Sequence, residues 1–104
     1  MPCSAWHIRH VIKTWGDNAT RRFAETGKGR FPGLDEPMAL ARLQLLDAIT
    51  RLKEIPALRS IALHKLRRDR HGQWAMTING RWRLVFAFRN GHAYDVEIVD
   101  YHGG

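Results

Sequence analysis

Apolar and polar residues alternate most sharply over the last third of the chain, from Gln73 to His102. Side chains on a strand point to opposite faces with a period of two. The runs QWAMTI, RWRLVFAFR and AYDVEIVDYH keep that period and are separated by Asn79-Gly80 and Asn90-Gly91. They predict consecutive antiparallel strands joined by short turns. On the middle strand Trp82, Leu84, Phe86 and Phe88 share one face, and Arg81, Arg83, Val85, Ala87 and Arg89 share the other. The preceding strand offers Trp74, Met76 and Ile78; the last offers Tyr94, Val96 and Ile98. A two-residue turn at Asn79-Gly80 would pair Ile78 with Arg81 and set these apolar residues beside the arginines. A two-residue turn at Asn90-Gly91 would bury Asp95 and Glu97. Odd-length turns bring all three apolar sets to one face, so bulged turns are expected at both glycines. Phe88 is then expected opposite Tyr94, and Arg81 opposite Tyr101 with Arg83 diagonal to it.

Helical spacing dominates upstream. Leu40, Leu43, Leu46, Ile49 and Leu52 recur every three or four residues, with Asp35, Arg42, Asp47 and Arg51 elsewhere. That pattern predicts an amphipathic helix from about Pro37 to Lys53, starting at a tolerated proline and ended by Pro56. Its leucine stripe is the natural cover for the apolar sheet face. A shorter helix is expected over NATRRFAET, capped by Asp17 or Asn18 and stopped at Gly27, with Ala19, Phe23 and Ala24 as a narrow apolar stripe. Val11 to Trp15 is β-prone and reads as an edge strand, while GKGRFPGLD is a loop by composition. Residues 1–10 show no periodicity and read as an extension, with residues 11–104 forming a single domain.

Charge changes the picture more than overall composition does. The formal net charge is +7 in 104 residues, and most of the cations are arginines. Arginine grips phosphate with a planar fork of donors, so such a surface suits a polyanion or an acidic protein. His64, Lys65, Arg67, Arg68, Arg70 and His71 crowd into one stretch offset only by Asp69. Most charge runs are solvated loops; the alternative is a phosphate-binding lip leading into the sheet. Arg81 and Arg83 sit on the expected polar sheet face, and Asp100, Tyr101 and His102 close the chain. No stretch has the length of a membrane span or a signal peptide, and the lone Cys3 fits a reducing compartment, so a cytoplasmic location is expected. The histidines lack zinc-site spacing, and GKGRFPG lacks the context of a phosphate-cradling loop.

The ordered set IKTW…RRFAETG, LHKLRRDRHGQWAMTINGRWRLVF and GHAYDVEIVDYH resembles HigB-type toxins of the RelE/ParE superfamily, the growth-arresting halves of bacterial toxin–antitoxin pairs. The resemblance covers nearly the whole chain beyond residue 11. It implies a RelE-like α+β fold, with two N-terminal helices on one face of a twisted, mostly antiparallel sheet of about four strands. It also implies a ribosome-dependent mRNA endoribonuclease that uses neither metal nor other cofactor. Carried over by motif, His64 and His102 become the acid and base in unassigned order. Arg83 becomes the phosphate ligand, and Asp100 and Tyr101 supporting groups. From their charge, Lys65, Arg67, Arg68, Arg70 and Arg81 are expected to contact the RNA. The chain departs from the family's usual His-Pro-Leu-Lys-Gly-Asp at Lys65, Arg67 and Arg68, which keeps the charge but alters the loop.

The side chains suit that chemistry. RNA supplies its own nucleophile, the 2′-hydroxyl, and needs a base, an acid for the leaving 5′-oxygen, and cations for the developing phosphorane charge. Imidazole exchanges protons near neutrality and serves either role. The implied partners are a HigA-like helix-turn-helix antitoxin, the ribosome and mRNA, with operator DNA reached only through the antitoxin and no membrane contact. Two other readings stand beside it. One is a non-enzymatic ParE-like toxin that binds a protein such as gyrase, the other a passive RNA-binding domain.

Overall fold

A computed structural model describes residues 11–67 and 72–100. The expected extension at residues 1–10 lies outside them. Helices α1 (Asn18–Thr26) and α2 (Glu36–Ala48) cover one face of a four-stranded sheet. Its strands are β1 (His64–Lys65), β2 (Trp74–Asn79), β3 (Trp82–Arg89) and β4 (His92–Asp100), in the spatial order β1-β2-β3-β4, each pair antiparallel. This is the α+β arrangement expected from the sequence. Among the described residues, no helix is long and apolar enough to cross a membrane.

Helix α1 has the ends that its sequence predicts. The Asp17 carboxylate accepts from the Thr20 amide at 2.9 Å, and Gly27 closes the helix with a left-handed φ of +78°. Its buried stripe is Thr20, Phe23 and Ala24, with Ala19 left exposed. Thr20 earns its burial by accepting the Ile98 amide of β4 at 2.9 Å, which joins helix to sheet by a polar contact.

Helix α2 ends earlier than expected, at Ala48 instead of Lys53. Ile49 turns extended and buries its side chain, and the Thr50 amide bonds the Glu54 carboxylate at 2.8 Å instead of a helical carbonyl. That amide is the main reason the Glu54 carboxyl is held below the usual carboxylate range. A short 3-10 turn, Leu52–Glu54, replaces the last helical turn. Asp47 is not a free surface acid either. Its Oδ1 accepts the Val11 and Ile12 amides, each at 2.8 Å. The Val11–Trp15 run does lie along the β4 edge, in parallel, but only as isolated bridges from Ile12 to Ala93 and from Trp15 to Val96.

The apolar sets align as the alternation requires, but by a different device. Trp74 and Met76 pair with Phe86 and Leu84, and Leu84 pairs with Ile98. Neither turn absorbs the odd residue. Asn79 pairs with Trp82 across Gly80-Arg81, and Arg89 pairs with His92 across Asn90-Gly91, so both loops hold two residues. The odd residue sits within the strands, at Ile78–Asn79 on β2 and at Asp95–Val96 on β4. Asn90 and Gly91 take φ of +49° and +79°, the paired left-handed conformations of a type I′ turn. Asp95 bulges with φ +54°, and its amide finds the Thr14 hydroxyl at 2.8 Å. Before the bulge, Phe88 therefore faces Ala93, and Tyr94 lies opposite Ala87 on the arginine side, against expectation. Arg89 stacks over the Tyr94 ring at 4.2 Å. Beyond the bulge the expected register returns, with Arg83 opposite Val99 and Trp82 opposite Asp100. The expected pairing of Arg81 with Tyr101 lies outside the described residues.

Candidate functional site

The face of the sheet away from the helices carries the polar chemistry. Pairing partners share a face, so His64, Ala75, Val85 and Glu97 form one row across the strands, and Thr77, Arg83 and Val99 the next. His64 and Arg83 are thus on one open face, two strands and one row apart. Strand spacing and rise put their backbones about 10 Å apart across the sheet and about 7 Å along it. Long side chains separated in this way can span a sugar and its neighbouring phosphate. Ala75 and Val85 lie between them, and with Leu66 and Val99 to either side they form a small apolar cluster on this face.

Local structure holds each side chain. The chain reverses at Ala62, whose φ is +47°, and the Ala62 carbonyl meets His64 Nδ1 at 3.0 Å. A carbonyl can only accept, so this contact puts the neutral ring's proton on Nδ1 and makes Nε2 the lone-pair nitrogen. Arg83 Nη1 donates to the carbonyls of Gly80 at 2.7 Å and Trp82 at 3.0 Å. Its guanidinium is thereby tied to the β2–β3 turn, at the end of the sheet.

Other predicted residues fall elsewhere. Lys65 pairs with Trp74 on the helix side, its Nζ 5.9 Å from that ring's centre. Arg81 sits exposed in the turn with its Nε 3.5 Å from Asp100 Oδ1. Asp100 faces Trp82, so the register directs it to the opposite side of the sheet from Arg83. Arg67 is exposed beyond β1. Arg68, Arg70, Tyr101 and His102 lie outside the described residues.

One residue that the helical pattern placed on the polar side proves internal. Arg42 is 8% exposed; its Nε donates to the Thr77 carbonyl at 2.8 Å and its Nη2 to the Ser60 carbonyl at 2.9 Å. Thr77 is the strand partner of Arg83, and Ser60 lies in the loop that leads into His64. The Thr77 amide also bonds the Ile61 carbonyl at 2.7 Å, so loop and strand are joined twice. Burial lowers the Arg42 pKa, and its carbonyl contacts replace the water it gave up. No sequence signal separates such an arginine from a solvated one on the same helix. Arg42→Met removes both contacts while keeping much of the volume, and charged hydrogen bonds of this kind contribute about 1.5–3 kcal/mol each. The variant is expected to unfold at clearly lower urea concentration, and an unchanged midpoint would remove Arg42 from this role.

Comparisons with known proteins identify the family. Residues 13–102 match the profile of HigB-like toxins, described as the RelE-like toxin of the type II toxin–antitoxin system HigB. The chain is also 38% identical over 93 residues to the Endoribonuclease HigB of Proteus vulgaris, covering 88% of this chain and 100% of that protein. A toxin of this kind implies a cognate antitoxin. With the family profile spanning both helices and all four strands, the chain belongs to the HigB-like toxins of type II toxin–antitoxin systems.

Proposed function

We propose that this toxin is an endoribonuclease that cuts mRNA on the translating ribosome and is silenced by a HigA-like antitoxin. The observation that carries the reading is the register that puts His64 and Arg83 on one open face, one row apart. The similar Proteus vulgaris protein, an endoribonuclease by name, supports the same chemistry. His64, with Nδ1 engaged by the Ala62 carbonyl, presents Nε2 for proton transfer to or from the ribose and phosphate oxygens. Arg83 holds the scissile phosphate and stabilises the charge that gathers as the 2′-hydroxyl attacks. His102 completes the acid–base pair, and Tyr101 orients the ribose or stacks on a base; both assignments come from the family motif. Asp100 keeps Arg81 at the sheet end, and Arg81, Lys65, Arg67, Arg68 and Arg70 guide the RNA backbone to the face.

The location is cytoplasmic, where ribosomes and antitoxin are met. Residues 11–104 act as the toxin domain, and operator DNA is contacted through the antitoxin alone. A gyrase-binding role is the weaker reading, because the family profile that matches is that of HigB. Purified protein added to translating ribosomes is expected to cut mRNA within codons, and His64→Ala to lose that activity while folded. Cleavage retained by His64→Ala would remove the histidine from the mechanism, and an inert wild-type protein would remove the proposed reaction.

A further inference from the structure

A separate cationic surface lies on the helix side. Arg22 on α1 and Lys28 and Arg30 in the following loop surround an open cavity of about 520 Å³, completed by Ala19 and Gly29. Among the described residues, none of these three cations forms an ion pair, whereas the nearby Glu25 is taken by Arg21 at 3.1 Å. Their backbone is held in place. The Thr26 hydroxyl contacts both the amide and the carbonyl of Lys28 at 3.2 Å. Gly29 lies so close to the Phe31 ring that an added Cβ would sit 2.8 Å from it.

The same loop is fastened to the end of the sheet that carries Arg81 and Arg83. Phe31 packs edge-on against Trp82 with ring centres 5.5 Å apart, and the Trp82 indole donates to the Pro32 carbonyl at 3.0 Å. Asn79, just before the turn, donates to the Gly33 carbonyl at 3.0 Å and accepts the Asp35 amide at 2.8 Å. Cations on both sides of Trp82 therefore converge on one end of the molecule.

We propose that Arg22, Lys28 and Arg30 form a second phosphate-binding surface, gripping the backbone of RNA away from the point of cleavage. The inference rests on the RNA-cleaving reading above and extends it to a surface that takes no part in the bond-breaking step. Guanidinium and ammonium groups that form no ion pair among the described residues, carried on a held backbone, match a row of phosphates. Interfaces between proteins, by contrast, centre on large apolar anchors. The lining here has no apolar side chain larger than that of Ala19.

The test is the salt dependence of binding to a short single-stranded 2′-O-methyl RNA, which cannot be cut by 2′-hydroxyl attack. Neutralising three phosphate contacts should lower the slope of log affinity against log salt by about 2, at about 0.7 per contact on a single strand. Arg22→Gln, Lys28→Gln and Arg30→Gln combined are expected to show that loss. If the combined variant fails to fold, each single replacement should lower the slope by about 0.7. A wild-type slope in the variants overturns the proposal and leaves the nuclease reading intact. The same slope with loss of antitoxin neutralisation would reassign the surface to a protein partner. Wild-type binding with no salt dependence would remove the RNA reading itself.

Discussion

Arg83→Ala is expected to slow RNA cleavage by about 10²–10³-fold, the usual cost of removing one preorganised donor to developing oxyanion charge. The guanidinium is half-buried and tied to the Gly80 and Trp82 carbonyls, so it meets the phosphate already positioned. Arg83→Lys is expected to recover only part of the loss. It restores the charge but not the planar fork that spans two phosphate oxygens. Neither change touches the apolar face of β3, but Arg83→Ala gives up the contacts to the Gly80 and Trp82 carbonyls, so the unfolding midpoint should fall modestly while the protein stays folded. Single-turnover cleavage on translating ribosomes, beside thermal unfolding, separates the two effects. Wild-type cleavage by a folded Arg83→Ala protein would mean that the phosphate is held elsewhere.

Phe86→Ala is expected to have the largest effect on stability, about 3–5 kcal/mol, through lost burial and the cavity left behind. Phe86 is wholly buried, pairs with Trp74 on β2, and packs into the cluster that joins both helices to the sheet. A domain of this size has about 5–15 kcal/mol in total, so the variant loses a large share of its stability. Urea denaturation of the purified protein measures the loss. A cost below about 1 kcal/mol would be out of line with full burial of an aromatic ring. Because the same strand carries Arg83 on its other face, loss of toxicity in this variant reports unfolding and not chemistry.

These two effects follow from alternation along β3, which the sequence shows plainly. Alignment of the apolar sets demands one extra residue in each hairpin, but it does not say where that residue goes. In the second hairpin, Asn90 and Gly91 tolerate left-handed backbone so well that they keep the tight two-residue turn. The extra residue is then pushed into β4 at Asp95, another residue type that accepts positive φ. The Thr14 hydroxyl, contributed from the far end of the chain, satisfies the amide this exposes. Such a partner is invisible to local pattern. As a result the faces of Leu84 and Ile98 were legible, while Tyr94 crossed to the arginine side.

The helices show the same division. Asp17 and Gly27 mark the ends of α1 by local chemistry alone, and both act as expected. The end of α2 depends on a tertiary preference, since Ile49 gains more by entering the core in an extended conformation than by prolonging the helix. Arg42 is the clearest case. Charge at a helix position reads as solvent exposure, yet two carbonyls of another segment draw it inside. At the site, strand parity explains the face of Arg83, whereas the short strand that brings His64 onto the same face forms in a segment that reads as a charged loop. The turn at Ala62 that aims His64, and the fold-back of Arg83 on its turn, needed the assembled backbone.

The chemistry of the cut ends tests the proposed mechanism most directly. Wild-type protein is incubated with translating ribosomes in magnesium-containing buffer, and the fragment termini are identified by mass spectrometry. Attack by the 2′-hydroxyl leaves a 2′,3′-cyclic or 3′-phosphate upstream and a 5′-hydroxyl downstream, which is the expected result. A 3′-hydroxyl paired with a 5′-phosphate would contradict it, because the attacking oxygen would then come from water and not from the ribose.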